Sequence, residues 1–138
     1  MYKPSVLRQG PIPVSIHGVI EYVAAVLFIV APFVLDFDSG AATAASIVIG
    51  VLIIVIAGTT AGPTGIVKQI PLSAHMVVDF LLVVVLIGAP FALGFSDESA
   101  PTAFFVVLGV AHLLITLATR FLGPSQRAAT EPPPPAQT

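Results

Sequence analysis

The sequence predicts an all-α membrane protein, built as a bundle of four transmembrane helices. Its mean hydropathy is +1.05, and apolar residues make up 57% of its 138 residues. Charged residues make up only 9%, whereas a soluble domain has roughly a quarter. The longest uncharged run, residues 39–67, exceeds the roughly 18 apolar residues that indicate a membrane helix. So few charges could not cover a water-facing surface, and the composition therefore excludes an ordinary soluble domain.

Four apolar runs have the length that a membrane span needs, about 20 residues for a hydrocarbon core about 30 Å thick. They are residues 15–35, 41–60, 73–93 and 102–122. Every backbone N–H and C=O group in lipid must be paired within the protein, so runs of this length are predicted to be helices. The sequence lacks the shorter alternating segments that would indicate a β-barrel.

The charged residues predict the direction of the spans. With four spans, all five cations fall on one side of the membrane: Lys3, Arg8, Lys68, Arg120 and Arg127. The two loops on the other side carry only acids: Asp36, Asp38, Asp97 and Glu98. Because lysine and arginine are enriched on the cytoplasmic side, both termini are predicted to be cytoplasmic in a multi-pass protein of the cell (inner) membrane. The first span is interpreted as a retained helix, since it contains an acid and recurs later as an internal helix.

The chain is predicted to have four segments. A cytoplasmic N-terminal arm covers residues 1–11, two transmembrane hairpins cover 12–66 and 67–122, and a disordered cytoplasmic tail covers 123–138. The tail contains four consecutive prolines, which cannot continue a helix. The chain has no cysteine, so disulfides, thiolate metal sites and cysteine nucleophiles are excluded.

The second hairpin repeats the first. Ile12 aligns with Ile70 and Phe37 with Phe95, an offset of 58 residues (70 − 12). The shared pattern is I-P-[VL]-S-x-H-x-x-x-[ED]-[YF], followed by A-P-F-x-L-x-F; after one insertion, Gly50 aligns with Gly109. Because each repeat has two spans, both enter the membrane in the same direction. The sequence thus predicts a parallel tandem duplication, with a pseudo-two-fold axis along the membrane normal.

Several local features support the hairpins. Ser15 and Ser73 precede apolar runs and are predicted to be N-caps. Pro32 and Pro90 lie near the outer ends of the first and third helices, where each is predicted to kink its helix. Such a kink could serve as a hinge or gate, or as a bent helix end that packs the hairpin, and we favour the bent end.

Small residues form a stripe along the second helix, which allows close approach of another helix. The stripe consists of Ala42, Ser46, Gly50 and Gly58. It predicts an assembly surface, either within the bundle or between copies of the chain.

The helix ends resemble the SPW-repeat family of small bacterial integral membrane proteins. The segments A-P-F-V-L-D-F (31–37) and A-P-F-A-L-G-F-S (89–96) carry the resemblance, which covers residues 12–120. Ala-Pro-Phe stands in place of the family's Ser-Pro-Trp, so only the two prolines keep the motif literally. The resemblance implies a membrane location and two hairpins of two transmembrane helices each, and it carries over no catalytic residue.

Each hairpin carries a histidine and an acid four residues apart, at His17 and Glu21 and again at His75 and Asp79. Residues four apart share one helix face. A carboxylate facing lipid is costly, so these side chains are predicted to point inward. The pseudo-two-fold axis would then bring all four groups together.

Three interpretations of this cluster are open. In the first, which we favour, cross-pairs such as His17–Asp79 and His75–Glu21 join the hairpins. In the second, the four groups bind a divalent metal such as zinc or iron, or the two histidines clamp a haem. In the third they relay protons or ions. A relay should continue across the membrane, and the outer half offers only His112, which we interpret as hydrogen-bonded to neighbouring backbone or hydroxyl groups.

The sequence contains no soluble catalytic signature and no basic patch suited to nucleic acid. The first functional prediction is therefore a small accessory or scaffold protein, not an enzyme, without a cofactor. Its predicted partners are the lipid bilayer and other membrane proteins or a second copy of the chain. The alternatives are a metal- or haem-binding membrane protein and, further, a proton or ion transporter.

Overall fold

A computed structural model describes residues 10–121 and contains four long helices. The helices are α1 (Val14–Val34), α2 (Gly40–Thr59), α3 (Leu72–Ala92) and α4 (Ser99–Ala118). Each is long and apolar enough to cross a membrane, so the predicted fold of four transmembrane helices is confirmed. The predicted arm up to residue 9 and the proline-rich tail lie outside the described residues.

The helices α1 and α3 begin at the end of the bundle where α2 and α4 finish. We call this end the polar end, because the charged and histidine side chains of the four helices lie near it. The loops between α1 and α2 and between α3 and α4 lie at the opposite end. Each helix has 20 or 21 residues, which at 1.5 Å per residue gives about 30 Å, the thickness of the hydrocarbon core.

The prediction that Ser15 and Ser73 are N-caps was wrong. The N-cap residues are Pro13 and Pro71, and neither makes a side-chain cap hydrogen bond. The two serines are the second residues of α1 and α3. Proline suits the position because its fixed φ, here −65° and −61°, allows the extended backbone that an N-cap residue adopts.

The fourth helix begins three residues before the predicted run 102–122 and ends four residues before that run does. It begins at Ser99 because Pro101 falls in the first turn, where the missing N–H has no helical partner in any case. It ends at Ala118 because the next two residues form a strand.

Two short parallel pairings, which the sequence did not predict, close the polar end. Strand β1 (Ile12–Pro13) pairs with β2 (Thr119–Arg120), so the segment entering the first hairpin lies beside the segment leaving the second. Thr60 and Ile70 form an isolated parallel bridge between the end of α2 and the start of α3. These pairings hold the two hairpins together just outside the apolar spans.

Helix packing within each hairpin depends on a glycine in its second helix. A Cβ atom at Gly50 would lie 2.7 Å from both the Ala25 carbonyl oxygen and Ile29 Cγ1 of α1. At the aligned Gly109 it would lie 2.8 Å from Ile87 Cγ1 of α3. Each pair of helices is therefore too close for any larger side chain at these positions.

The predicted small-residue stripe faces α1 within the first hairpin. Ala42, Ser46 and Gly50 are buried, and the Ser46 hydroxyl donates a hydrogen bond to the Phe28 carbonyl. A Cβ atom at Gly58 would lie 3.7 Å from the Tyr22 hydroxyl of α1. Among the described residues, these small side chains serve the packing of their own hairpin.

The A-P-F-x-L-x-F pattern ends both α1 and α3 in the same way. Asp36 and Gly94 have positive φ values of 48° and 75°. The N–H groups of Phe37 and Phe95 then donate to the carbonyls of Pro32 and Pro90, at 3.0 and 2.9 Å. In each case the donor lies two residues after the C-cap and the acceptor three residues before it. This is the hydrogen bond of the Schellman motif.

The half of the bundle opposite the polar end has an apolar core. Aromatic rings from three segments pack edge to face, with ring centroids 5.6 Å apart for Phe28 and Phe105 and 5.2 Å apart for Phe95 and Phe105. This packing fixes how the two hairpins meet and thereby positions the polar residues one to two turns inside the other end.

Candidate functional site

The four predicted site residues lie buried near the start of α1 and α3. Their exposed fractions are 2% for His17, 5% for Glu21, 2% for His75 and 1% for Asp79. On each helix the histidine precedes the acid by about one turn, so both side chains point to the same face. Because the four side chains are buried and lie close together, both faces point into the bundle.

The closest contacts in the cluster join the two hairpins. His17 Nε2 lies 3.2 Å from Asp79 Oδ2, and His75 Nε2 lies 3.1 Å from Glu21 Oε1. Within each helix the corresponding nitrogen-to-oxygen distances are longer, 3.7 Å in α1 and 3.4 Å in α3. Each imidazole therefore faces both carboxylates, and the structure brings all four groups into one site.

Two threonines hold the other nitrogen of each imidazole. His75 Nδ1 lies 2.7 Å from Thr60 Oγ1, and His17 Nδ1 lies 2.8 Å from Thr119 Oγ1. Each hydroxyl donates its single hydrogen to the carbonyl four residues earlier, at 2.6 Å in both cases. The hydroxyl oxygens must then accept, so Nδ1 of both histidines carries a hydrogen.

This tautomer determines what the site presents to a ligand. With Nδ1–H donated to a threonine, Nε2 of a neutral imidazole carries a lone pair. Both Nε2 atoms face carboxylate oxygens. A lone pair facing a carboxylate is repulsive unless a positive species lies between them, either a proton on Nε2 or a metal ion.

Several buried polar atoms, three of them at the site and one on α4 (Thr116 Oγ1), have no hydrogen-bond partner among the described residues. They are His17 Nε2, Asp79 Oδ2, His112 Nε2 and Thr116 Oγ1. The first two are 3.2 Å apart, yet their alignment does not make a hydrogen bond. Buried polar atoms are nearly always satisfied, so these unpartnered atoms distinguish the cluster from an ordinary set of buried ion pairs.

His112 belongs to the same cluster, contrary to the prediction that placed it in the outer half of the bundle. Its Nε2 atom lies 3.5 Å from Asp79 Oδ1. Helix α4 runs toward the polar end, and His112 is six residues before its last residue, Ala118. At 1.5 Å per residue it is about 9 Å from that end, at nearly the depth of Asp79 on α3.

A small cavity of about 10 Å³ adjoins the cluster on the side of the α2–α3 connection. Its polar lining includes His17, Glu21 and His75, and Gly62 contributes backbone. The Phe121 ring covers the two histidines, with centroid distances of 5.2 Å to His17 and 6.3 Å to His75. About one water molecule fits in such a volume.

The SPW repeat domain matches residues 15–119 of the chain, which is most of its length and includes every residue of the cluster. The chain belongs to the SPW repeat family. No curated protein and no solved structure matches it. Membership of the family, together with the four apolar spans, makes the chain a multi-pass membrane protein.

The cluster of this SPW repeat protein has the dimensions of a coordination shell. One ligand atom from each of the four residues lies within 4.8 Å of the other three, and the four nitrogen-to-oxygen distances are 3.1–3.7 Å. Tetrahedral zinc, with bonds of about 2.0–2.1 Å, separates all of its ligand atoms by about 3.3 Å. The nitrogen-to-oxygen pairs are close to this distance, whereas other pairs of ligand atoms are up to 4.8 Å apart, so the four groups can surround an ion without forming a closed tetrahedron. The threonines behind each histidine supply the outer hydrogen bonds that metal-ligating imidazoles usually make.

The geometry suits neither a haem held by the two histidines nor a relay of protons or ions across the membrane. A haem clamped by two histidines would need both Nε2 atoms on opposite faces of a wide macrocycle, whereas here both Nε2 atoms meet the same carboxylates. A relay across the membrane would need ionisable groups at the opposite end of the spans. Within helices α1–α4, every histidine and acid lies in the half near the polar end.

Sequence reasoning missed the two threonines and the position of His112. Thr60 and Thr119 align at an offset of 59 residues (119 − 60), the same offset as Gly50 and Gly109, so the repeat itself contained the signal. The depth of His112 follows from counting residues back from the polar end of α4. The contact of Phe121 with the histidines has no comparable sequence signal.

Proposed function

We propose that this SPW repeat protein binds one divalent transition-metal ion inside the membrane, near the polar end of its bundle. The ligands are His17 and Glu21 of the first hairpin and His75 and Asp79 of the second. One observation supports this most strongly: both imidazoles are held through Nδ1 by threonines and direct Nε2 at two buried carboxylates. That is the arrangement of a metal ligand with its supporting hydrogen bond.

The charge of the site favours a divalent ion. Two buried carboxylates need two compensating positive charges, since an unpaired charge in this environment is costly. One divalent ion supplies both and accepts the lone pairs of both Nε2 atoms. Without an ion, both imidazoles would have to be protonated, and the cluster would then be the set of cross-pairs that joins the hairpins.

The contacts favour the ion over the cross-pairs. Protonated imidazoles should form well-aligned hydrogen bonds to the carboxylates, because a charge-assisted bond is strong and short. His17 Nε2 and Asp79 Oδ2 instead remain without hydrogen bonds at a separation of 3.2 Å. An ion between the two atoms would satisfy both.

The donor atoms indicate the class of metal. Two imidazole nitrogens and two carboxylate oxygens suit zinc, iron(II), cobalt(II) or manganese(II), whereas copper(I) prefers sulfur ligands. Magnesium and calcium prefer shells of oxygen. Zinc and iron(II) are therefore the first ions to test.

The charge distribution supports a cytoplasmic position for the polar end. Lys68 lies in the connection between α2 and α3, and the Arg120 side chain donates to the Gly10 carbonyl at this end. The acids Asp36, Asp38, Asp97 and Glu98 lie in the loops at the other end. By the positive-inside rule, the metal site would be nearest the cytoplasm, with both termini on that side.

The accessory or scaffold role and the self-association that the sequence suggested remain predictions. The stripe that motivated them is engaged within the first hairpin, where Ser46 bonds the Phe28 carbonyl and Gly50 approaches Ala25. Non-enzymatic status is likewise still a prediction.

Metal analysis of the protein purified in mild detergent tests the proposal. The wild type, exposed to zinc or iron(II) and then passed over a desalting column, should retain about one ion per chain. The double variant Glu21→Gln, Asp79→Asn keeps the size of both side chains but removes both charges. It should retain none, because neither amide replaces a carboxylate ligand.

Ser46→Ala is the matched control. It removes a buried hydrogen bond on α2 without touching the cluster, so it should keep the ion. A folded wild type that retains neither zinc nor iron(II) would contradict the proposal and favour the cross-pairs.

A further inference from the structure

The open space at the cluster lies on one side of the four ligand atoms. His17, Glu21 and His75 line the cavity, and Asp79 does not. Asp79 lies deeper, where His112 Nε2 is 3.5 Å from its Oδ1 atom. An ion held by all four groups would therefore have protein on its Asp79 side and free volume on its other side.

A purely structural metal site is closed, whereas a site that takes an exogenous ligand keeps one coordination position open. The cavity of about 10 Å³ has room for about one water-sized ligand. Its wall also includes Gly62, which has no side chain to occupy the space. Phe121 and Leu72 line the same cavity and shield it with apolar surface.

We infer that the bound ion keeps one open coordination position facing this cavity, which takes a water molecule or a small monodentate anion. This inference rests on the proposed metal binding and adds that the site is reactive toward a second ligand. Asp79, which lies beside His112, is the ligand on the closed side, and Glu21 borders the open side.

Gly62 provides a variant that fills the cavity without altering a ligand. A Cβ atom there would lie 3.3 Å from Leu72 Cδ2 and 3.6 Å from Val14 Cγ1, both in the cavity wall. Its φ is not positive, so alanine is compatible with the backbone. Gly40→Ala is the matched control, since a Cβ atom at Gly40 has no neighbour within 4 Å.

Cobalt(II) loading followed by azide titration tests the inference, because cobalt(II) gives visible bands that report its ligands. In the wild type, azide should donate a nitrogen lone pair to cobalt as one water leaves, and the bands should shift and saturate. Gly62→Ala should bind cobalt(II) as the wild type does but bind azide at least about 10-fold more weakly, because a well-packed site tolerates extra volume poorly. Gly40→Ala should bind azide as the wild type does.

The outcomes separate the two proposals. A wild type that binds cobalt(II) but whose spectrum azide leaves unchanged would overturn the open position and leave metal binding intact. Equal azide affinity in Gly62→Ala and the wild type would overturn the assignment of that position to the cavity. A folded wild type that binds no cobalt(II) would overturn the proposed function and this inference together.

Discussion

The two hairpins are alike where they contribute the proposed metal ligands and differ in the residues around those ligands. His17 and Glu21 match His75 and Asp79, and the cross-hairpin distances of 3.2 and 3.1 Å are nearly equal. The second helices are different: Ile53 and Ala57 of α2 align with His112 and Thr116 of α4. Helices α1 and α3 thus supply corresponding pairs of polar side chains, and α4 adds the imidazole of His112 beside Asp79.

A second difference lies at the helix ends with proline. Pro32 has no N–H for the Phe28 carbonyl, and the Ser46 hydroxyl of α2 donates to that carbonyl instead. In the second hairpin the position that aligns with Ser46 is Phe105, a fully buried ring in the aromatic core. At this position the first hairpin therefore has a hydrogen bond between its two helices, whereas the second hairpin has a buried aromatic side chain.

Among the substitutions that test this comparison, those of Thr60 and Thr119 should reduce metal affinity the most. Thr60→Val and Thr119→Val each remove the acceptor for one histidine Nδ1–H, and each should weaken metal binding by about 10- to 100-fold, as loss of other outer-shell partners does. Because the two contacts are nearly identical, at 2.7 and 2.8 Å, the two losses should be similar. Titration with zinc against a competing chelator measures both.

Thr59→Val serves as the control for the threonine variants. Its hydroxyl donates to the Val55 carbonyl on the exposed side of α2, so its loss should leave metal affinity unchanged. A loss confined to one of the two buried threonines would break the symmetry inferred for the ligands.

His112→Ile should have a smaller effect, because it gives α4 the residue that α2 has at the aligned position. Asp79 loses its neighbouring imidazole but remains a ligand, so we expect metal affinity to fall by about 10-fold, at the low end of outer-shell effects. His112→Gln, which retains a donor, should recover part of the loss. Unchanged affinity in His112→Ile would show that His112 does not support Asp79.

Ser46→Ala should leave metal affinity unchanged and lower stability modestly. The Phe28 carbonyl would lose its side-chain donor, which should cost about 1 kcal/mol of the free energy of unfolding. Unfolding in mixed micelles with increasing denaturing detergent measures it. Phe105→Tyr, at the aligned position, is the comparison: it places a hydroxyl in a closely packed core and should destabilise the protein through steric strain. A Ser46→Ala variant as stable as the wild type would contradict the role of this hydrogen bond.

The sequence predicted the spans because they follow from the length of the apolar runs, and it placed the four polar residues on shared helix faces because they repeat a spacing of four. Four uncharged runs define the helices, and the repeated spacing of four places His17, Glu21, His75 and Asp79 on facing surfaces. It failed where a residue's role depends on the exact helix end. Pro13 and Pro71 are the N-caps, two residues before the predicted serine caps. Thr60 and Thr119, which contact the histidines, are the C-cap residues of α2 and α4. No sequence period predicts such end effects.

The position of His112 shows a different limit. Its depth depends on the direction of α4, which the predicted topology already implied, yet its contact with Asp79 depends on the packing of α4 against α3. Likewise, the cavity beside Gly62 results from the path of the α2–α3 connection, which has no repeating pattern. Contacts between helices and the shapes of loops must be seen in three dimensions.

X-ray absorption at the zinc K-edge tests most directly whether one ion is held by both hairpins. The spectra of the zinc-loaded wild type and of the single variants His17→Gln and His75→Gln are compared. We expect nitrogen and oxygen neighbours only, with the outer scattering of two imidazoles in the wild type and of one in each variant. A wild-type spectrum without imidazole scattering, or one that either substitution leaves unchanged, would contradict a shared site.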